Sequence, residues 1–539
     1  CHSIDLVLPR HEQGLIHAAD GYARATGKVG VCLVTSGPGA TNLVTGIATA
    51  NYDSIPLVCF TGQVAEDLIG NDAFQEVDIV GITRNVAKFV IMVRDREMLA
   101  QRIKEAFYIA RSGKPGPVLV DLPTDVMAEL GSTSYPTEVN IRGYKPNKGV
   151  HVGQLKKAIA LVEEAKKPMF LIGGGVNLAH AQEEMTELCE KLDIPVVTTV
   201  MGRGAIPTDH PLYIGNIGMH GSYAANKTAD ECDLMFSIGC RFNDRVTGNV
   251  AKFAPNAKII HIDIEAAAIS RNVTVDIPIV ADAKMAIRKI LDHTEPMKHT
   301  EWIEEVKSWD KEHPLGIQVK AGVNPQCIME TLNKVYADRD TIYTSDVGQH
   351  QMWACQYLKL DATHRLVQSG GLGTMGFGLP SAVGAQIGCP GKAVVSISGD
   401  GGFQMNIQEM ATAINQELPL VNIVLNNNYL GMVRQMQDLF HNKRYTITCL
   451  RYHKSCKGKC GKPGWTCPEY SPNFVKIAEA YGSKGYLVTE DSQLEKTIIE
   501  ARDYAEEHNK PVIIECAVSP EELVLPMIRG GASFEEIIY

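Results

Sequence analysis

Residues 394–436 read VVSISGDGGFQMNIQEMATAINQELPLVNIVLNNNYLGMVRQM. Residues 394–398 are an apolar, β-branched run of the kind that forms a buried strand. Gly399-Asp400-Gly401-Gly402 predicts a tight turn, a helical pattern follows over about 406–415, and a second apolar run, 421–425, stops at Asn426-Asn427-Asn428. The unit is strand, glycine-rich loop, helix, strand. Asp400 and Asn427 then each follow the carboxyl end of a strand, the edge of a parallel sheet where ligands bind. A carboxylate and an amide oxygen are hard ligands suited to Mg²⁺ holding a phosphate. The glycines let backbone N–H groups approach that phosphate closely. A lone Gly-Asp-Gly also suits an ordinary βαβ crossover with polar turn residues; the asparagine run at the matching strand end favours a site.

Outward from this stretch, strand and helix patterns alternate. Residues 1–128 hold strand candidates at 4–8, 29–35, 56–61 and 117–122, with a helix over 12–25. A polar segment, about 129–150, predicts a linker. Residues 150–315 form a second alternating unit, with one strand running into Gly173-Gly174-Gly175 and others at 234–238 and 259–263. A second, amphipathic linker is expected over 299–323, and residues 324–539 are the third unit. The fold class is α/β, three doubly wound parallel-sheet domains.

Composition narrows the function. A net charge of −10 without a long basic run argues against a nucleic-acid surface. No apolar stretch reaches membrane-spanning length. Fourteen cysteines over 539 residues are not a secreted disulfide scaffold. Ten are scattered, several in apolar runs (Cys32, Cys59, Cys516), and read as small core residues of a reducing compartment.

Other segments carry chemistry. Glu12, in PRHEQGLIHAADGYARATGK (9–28), starts a helix, where a carboxylate is either stabilised by the helix N-terminus or functional. Ser36-Gly-Pro-Gly-Ala-Thr-Asn42 is a tight turn or part of a site. Gln349 and His350 follow a strand and are placed to donate to a diphosphate, or sit buried at a helix N-terminus. The run 369–379, SGGLGTMGFGL, is too glycine-rich for packed structure, so its backbone approaches something. Met375 within it lies against a cofactor ring or fills the core. Gly173 to Gly175, with His261-Ile-Asp263 further on, is a weak dinucleotide signal.

The Gly-Asp-Gly and asparagine pair resembles the signature of enzymes dependent on thiamine diphosphate (ThDP). The likeness tightens over nearly the whole chain: RHEQG (10–14), TSGPGATN (35–42), DAFQEVDI (72–79), GMHG (218–221), RFNDRVTG (241–248), GQHQMW (348–353) and GTMGFGLP (373–380) are similar to the catalytic subunits of the acetolactate synthase (acetohydroxyacid synthase) family. That resemblance implies ThDP-dependent decarboxylation of pyruvate and carboligation to pyruvate or 2-oxobutanoate, in branched-chain amino acid biosynthesis. It implies Mg²⁺ on Asp400, Asn427 and the carbonyl of Tyr429, and catalytic roles for Glu12, Gln75 and Arg245. Glu12 would bind the aminopyrimidine ring and Arg245 the carboxylate of the second acid, unless Arg245 is only a structural partner of Asp244. Gln349, His350, Met375, Gly401, Gly402, Met405, Leu430, Gly431 and Met432 would contact ThDP. A non-redox FAD would lie on Gly173, Gly174, Gly175, Thr199, Met219, His220, Gly239, Arg241, Asp244, Val246, Asp263 and Asp282, joined by Gln351, Met352, Gly370 and Gly371. The resemblance also implies a homodimer or homotetramer, with ThDP between Glu12 of one subunit and Asp400 of another. A small regulatory subunit and a cytoplasmic location complete that expectation. The competing readings are a related ThDP enzyme such as pyruvate oxidase, an FAD-free catabolic acetolactate synthase, and a nucleotide-binding scaffold without chemistry.

Departures from the pattern are informative. The chain starts just before Glu12, which predicts N-terminal truncation. Pro123-Thr124-Asp125 stands where many members have Pro-Lys-Asp. Met436 replaces a tryptophan that favours 2-oxobutanoate. Residues 441–474 carry an insertion with Cys449, Cys456, Cys460, Cys467 and His453, which predicts bound Zn²⁺ or an Fe–S cluster, a redox-sensitive disulfide, or free thiols.

Overall fold

A computed structural model describes residues 4–132, 134–147, 149–317, 321–456 and 472–539. The chain forms two compact units: one from 1–145, 319–351 and 367–522, the other from 146–318, 352–366 and 523–539.

The first sheet comprises β1 (Gly30–Val34), β2 (Leu57–Gln63), β3 (Phe89–Met92) and β4 (Pro117–Pro123), in the order β1-β2-β4-β3 with parallel pairings. β4 is buried at every position, as a parallel strand covered on both faces requires. Residues 4–8 are no strand. Ile4, Leu6 and Leu8 are 64%, 77% and 78% exposed; among the described residues this apolar run has no neighbouring strand to pair with, which leaves the segment irregular.

The second unit holds β5 (Pro168–Ile172), β6 (Val196–Thr198), β7 (Tyr213–Asn216), β8 (Leu234–Ile238), β9 (Lys258–Asp263) and β10 (Ile277–Val280). Their order is β10-β9-β8-β5-β6-β7, all parallel, so the winding reverses between β5 and β8. The expected second linker is largely a helix, Thr300–Glu312. Trp302, Ile303 and Val306 fall on one buried face, and the Trp302 indole N–H donates to the Pro168 carbonyl at 2.9 Å. Packing of that face against the unit's core overrides the charged text around it.

The third sheet, back in the first unit's fold, runs β12-β11-β13-β14-β16-β15. Its strands are β11 (Thr341–Ser345), β12 (His364–Gln368), β13 (Ala393–Gly399), β14 (Val421–Asn426), β15 (Lys484–Val488) and β16 (Val512–Ala517). Parallel register puts Gly399 beside Leu425. The expected turn after β13 is instead the start of a helix, Asp400–Met405, and the expected helix is shorter, Glu409–Asn415. Asn406 separates them: its backbone leaves helical geometry at φ −132 while its side-chain amide donates to the Gly376 carbonyl at 2.7 Å. Among the described residues no helix is long and apolar enough to cross a membrane.

Candidate functional site

The carboxyl ends of β11, β13 and β14 concentrate buried polar groups. Asp400 is 1% exposed, and its Oδ2 has no hydrogen-bond partner. Burial pushes its pKa up to about 7, opposed by backbone amides that include those of Asn427, Gly401 and Asn428. The expected convergence of Asp400 and Asn427 is therefore present. Asn427 accepts from the Tyr429 amide at 3.0 Å and donates to Gln349 Oε1 at 3.2 Å. Gln349 Nε2 in turn donates to Gln435 Oε1 and the Glu522 carbonyl, both at 2.9 Å. His350 and Ser398 are buried, with Nε2 and Oγ unpartnered. Burial lowers the imidazole to about 4, so it is neutral at ordinary pH. Unpaired buried polar atoms cost about 1–3 kcal/mol each, and three at one sheet edge mark a place built for something polar. A divalent cation suits a carboxylate with amide and carbonyl oxygens, and a hydroxyl and imidazole suit its phosphate.

Glycines shape the same edge. A Cβ on Gly401 would lie 2.9 Å from Leu430 Cδ2, 3.4 Å from Leu450 Cδ1 and 3.7 Å from Met375 Cε, so these three side chains form one apolar wall. A Cβ on Gly431 would meet Gln349 Oε1 at 2.2 Å, and one on Gly402 would meet Asp346 Oδ1 at 2.3 Å. Asp346 accepts from the amides of Val347, Gly376 and Gly378; burial raises it to about 6 against those bonds. Met405 ends the helix Asp400–Met405 and is half exposed, and Met432 lies in the helix Gly431–Phe440.

Glu12 opens the helix Glu12–Thr26, and its Oε2 accepts from Asn42 Nδ2 at 2.9 Å. The turn that supplies Asn42 also meets Gln75. A Cβ on Gly39 would sit 3.7 Å from Glu12 Oε1, and one on Gly37 would sit 2.9 Å from the Gln75 carbonyl. Gln75 itself holds a positive φ of 60, a strained conformation for a non-glycine residue. Glu409 supports the helix start. Its carboxylate accepts from the Arg10 and His11 amides and from Thr412 Oγ1. A Cβ on Gly14 would lie 2.4 Å from Glu409 Oε1.

In the second unit, the glycine triple meets Gly239 where the winding reverses. Gly173 N donates to the Ile238 carbonyl and Gly175 N to the Gly239 carbonyl. A Cβ on Gly173 would lie 2.1 Å from Gly239 O. Thr199 caps a turn through Gly202 N, and Asp282 caps the helix Ala283–Leu291 through Met285 N. Asp263 ends β9 and accepts from Glu265 N at 2.8 Å. His261, buried and lowered to about 4 by that burial, lies 3.8 Å from the Asp263 carboxylate. Met219 N donates to the Arg245 carbonyl at 2.9 Å, and His220 is lowered to about 4 by burial. Arg241 follows Cys240 after β8, and Val246 lies in the helix Asp244–Thr247. Arg245 pairs with Asp244 at 3.1 Å, both exposed, and lines a small cleft with Met219, Lys252 and Arg529. Met352, in the helix Gln349–Tyr357, belongs to this unit. Gln351, the residue before it, donates to the Ser369 carbonyl. The Gly370 and Gly371 amides are engaged by Asp53.

Residues 448–450, at the start of the expected insertion, lie beside this edge. Tyr429 bridges Cys449, Leu430 N donates to the Thr448 carbonyl, and Leu450 N to the Asn428 carbonyl. His453 N donates to Cys456 Sγ at 3.4 Å. Cys460 and Cys467 lie outside the described residues. Among the described residues no cluster of three or more His, Cys, Asp or Glu side chains could hold a metal; the Asp400 arrangement is of a different kind, one carboxylate with amide oxygens. Thr124 donates to the Gln63 carbonyl, and Met436 lies in the helix Gly431–Phe440.

Sequence reasoning passed over Asp346, Glu409, Asp53 and Asn42 as individual residues. Asp346 carries the same signal as Asp400, an acid just past a strand. Glu409 and Asp53 carry no local signal, because the backbone amides they accept from are hundreds of positions away.

Three family models match: the N-terminal TPP binding domain of thiamine pyrophosphate enzymes at residues 1–82, the central domain at 155–290 and the C-terminal TPP binding domain at 346–516. The acetolactate synthase isozyme 3 large subunit of Escherichia coli (strain K12) is 45% identical over 543 residues, 99% of this chain and 91% of that one. The probable acetolactate synthase large subunit of Methanococcus aeolicus is 43% identical over 559 residues, 100% and 90% of the two chains. The Corynebacterium glutamicum acetolactate synthase large subunit is 44% identical over 541 residues, 99% and 83%.

Proposed function

From the premise that this chain belongs to the acetolactate synthase large-subunit family of thiamine pyrophosphate enzymes, we propose that it makes acetolactate from pyruvate with ThDP held at the Asp400 edge. ThDP, when bound, supplies the electron sink that lets a 2-oxo acid lose CO₂ and pass its two-carbon remainder to a second 2-oxo acid. The observation that carries the proposal is the buried, unpartnered Asp400 Oδ2 beside the Asn427 and Asn428 amides.

The chain's own residues do the rest. Asp400, Asn427 and the Tyr429 carbonyl would hold Mg²⁺, and a cation there would favour the charged form of the buried Asp400 carboxylate. Neutral His350 and Ser398 donate to the diphosphate without adding charge. Gln349, Gly401, Gly402 and Gly431 shape that end, and the backbone around Gly431 can approach because it has no Cβ. Met375, Leu430 and Leu450 exclude water from the ring. Glu12 binds the aminopyrimidine, its carboxylate oriented by Asn42, with Gln75 on the adjoining turn. Arg245 supplies a donor fork suited to the carboxylate of the second 2-oxo acid, pyruvate or 2-oxobutanoate; exchanging its exposed Asp244 partner costs little.

A non-redox FAD fits the second unit at the reversal between β5 and β8, where α/β sheets bind ligands. Thr199, Gly239, Arg241, Asp263 and Asp282 stand along that edge. The relatives' designation as large subunits supports a separate small regulatory subunit, and we take the working assembly to be a homodimer or homotetramer.

The test is product analysis. Purified protein with ThDP, Mg²⁺ and pyruvate should yield acetolactate. Glu12→Gln should lower the rate by about 10²–10⁴-fold, the usual worth of a positioned proton-transfer group, while ThDP stays bound. Wild-type protein that consumes no pyruvate, or a Glu12→Gln variant at full rate, would refute the proposal.

A further inference from the structure

The loop that carries Met375 is held by side chains from the first-sheet part of its own unit. Asp53, the last residue of the helix Val44–Asp53, is buried. Its Oδ2 accepts from Gly370 N at 3.1 Å and its Oδ1 from Gly371 N at 2.7 Å. Arg24 joins it: Nη2 lies 3.0 Å from Asp53 Oδ2, Nη1 donates to the Gln368 carbonyl at 2.9 Å, and Nε meets Asp20 Oδ1 at 2.5 Å. The guanidinium also lies 5.4 Å from the Phe377 ring centroid. A third anchor is independent of charge, because the buried Thr49 and Thr374 hydroxyls share a hydrogen bond of 2.7 Å.

The sequence pattern behind this is helical. His17, Asp20, Gly21 and Arg24 recur at i, i+3, i+4 and i+7, one face of the helix that begins at Glu12. That face is turned to residues 368–381. A Cβ on Gly21 would lie 2.2 Å from the Ser381 carbonyl, and the His17 and Phe377 rings meet edge-on at 5.4 Å. Burying one guanidinium with two carboxylates is a poor way to gain stability, since apolar side chains of the same size would serve as well or better. Such a set does fix geometry, through directional, charge-assisted bonds to two consecutive amides.

We infer that Asp53 is a positioning residue: with Arg24 it fixes the backbone of residues 368–371 and so sets where Met375 meets Gly401. This rests on the reading of the Met375–Leu430–Leu450 wall as the ring pocket. It also gives the Gly370 and Gly371 amides a partner within the chain.

Asp53→Asn in the full-length enzyme tests it with two readouts. Hydrogen exchange on cofactor-free protein should show the Gly370 and Gly371 amides exchanging at least about tenfold faster. Steady-state kinetics should show kcat for acetolactate lowered by about ten- to a hundredfold, the scale of a slight misplacement at a reacting centre, with KM for pyruvate within about twofold. The paired variant Thr49→Val/Thr374→Val removes both hydroxyls with little stability cost and should move both readouts in the same direction by less. Freed amides with full kcat, or amides that stay protected, would overturn the inference. Should Asp53→Asn not fold, unchanged kcat in the double variant would overturn it as well. Failure of the wild-type protein to bind ThDP would instead refute the site reading, and the exchange result would stand apart from it.

Discussion

Two glycine-rich segments follow parallel strands in this chain, one after β5 and the other at the start of the helix Asp400–Met405 after β13, and they use glycine for opposite ends. After β5, Gly173 and Gly175 let one loop press against another: their amides bond to the Ile238 and Gly239 carbonyls, and a Cβ on Gly173 would fall 2.1 Å from Gly239 O. After β13, the atoms nearest a Cβ on Gly401 would be the flexible ends of Leu430, Leu450 and Met375, beside a carboxylate oxygen with no partner. The first segment is filled by its own backbone, and the second is lined by polar groups that the chain leaves unsatisfied. A run of glycines therefore says that something comes close. Whether that is another strand end or a ligand is decided by the polar atoms around it.

The contrast can be broken by adding one methyl group to each segment. Gly173→Ala should cost about 3 kcal/mol, because a methyl forced onto backbone atoms cannot be relieved by a rotamer change. The expected observation is a clear drop in melting temperature. Gly401→Ala should leave the melting temperature within a degree or two. It should weaken ThDP binding by about tenfold, or about 1.4 kcal/mol, as measured by titration. Equal losses of stability in the two variants would show that both segments are packing devices and would remove the distinction.

Much of this contrast was legible in the sequence, because strands and their ends carry local signals. The β-branched runs at β13 and β14, the acid after the first and the asparagines after the second locate the Asp400 edge without any coordinates. The start of a helix at Asp400 was not legible, since Gly-Asp-Gly-Gly has turn chemistry and only the helix packing of Phe403, which is fully buried, overrides it. The helix Thr300–Glu312 was hidden in the same way: its charged residues read as a linker, and the burial of Trp302 decides it. Residues 4–8 failed in reverse, an apolar run with no strand to pair with among the described residues. Asp53 and Glu409 were invisible because their meaning lies in partners 317 and 399 positions away, and no local pattern encodes such a distance. The roles proposed for Glu12, Gln75 and Arg245 rest on the family resemblance, since composition and spacing alone left them open.

The central claim is that Asp400 and its neighbours hold ThDP through a divalent metal. Titration of ThDP into wild-type protein and Asp400→Ala, each with and without Mg²⁺, tests it most directly. The account predicts tight, Mg²⁺-dependent binding to wild type and, in Asp400→Ala at an unchanged melting temperature, binding weakened by about a hundredfold or more with no response to Mg²⁺, the scale of losing a charged metal ligand. An Asp400→Ala protein that still binds ThDP tightly in a Mg²⁺-dependent way would contradict it.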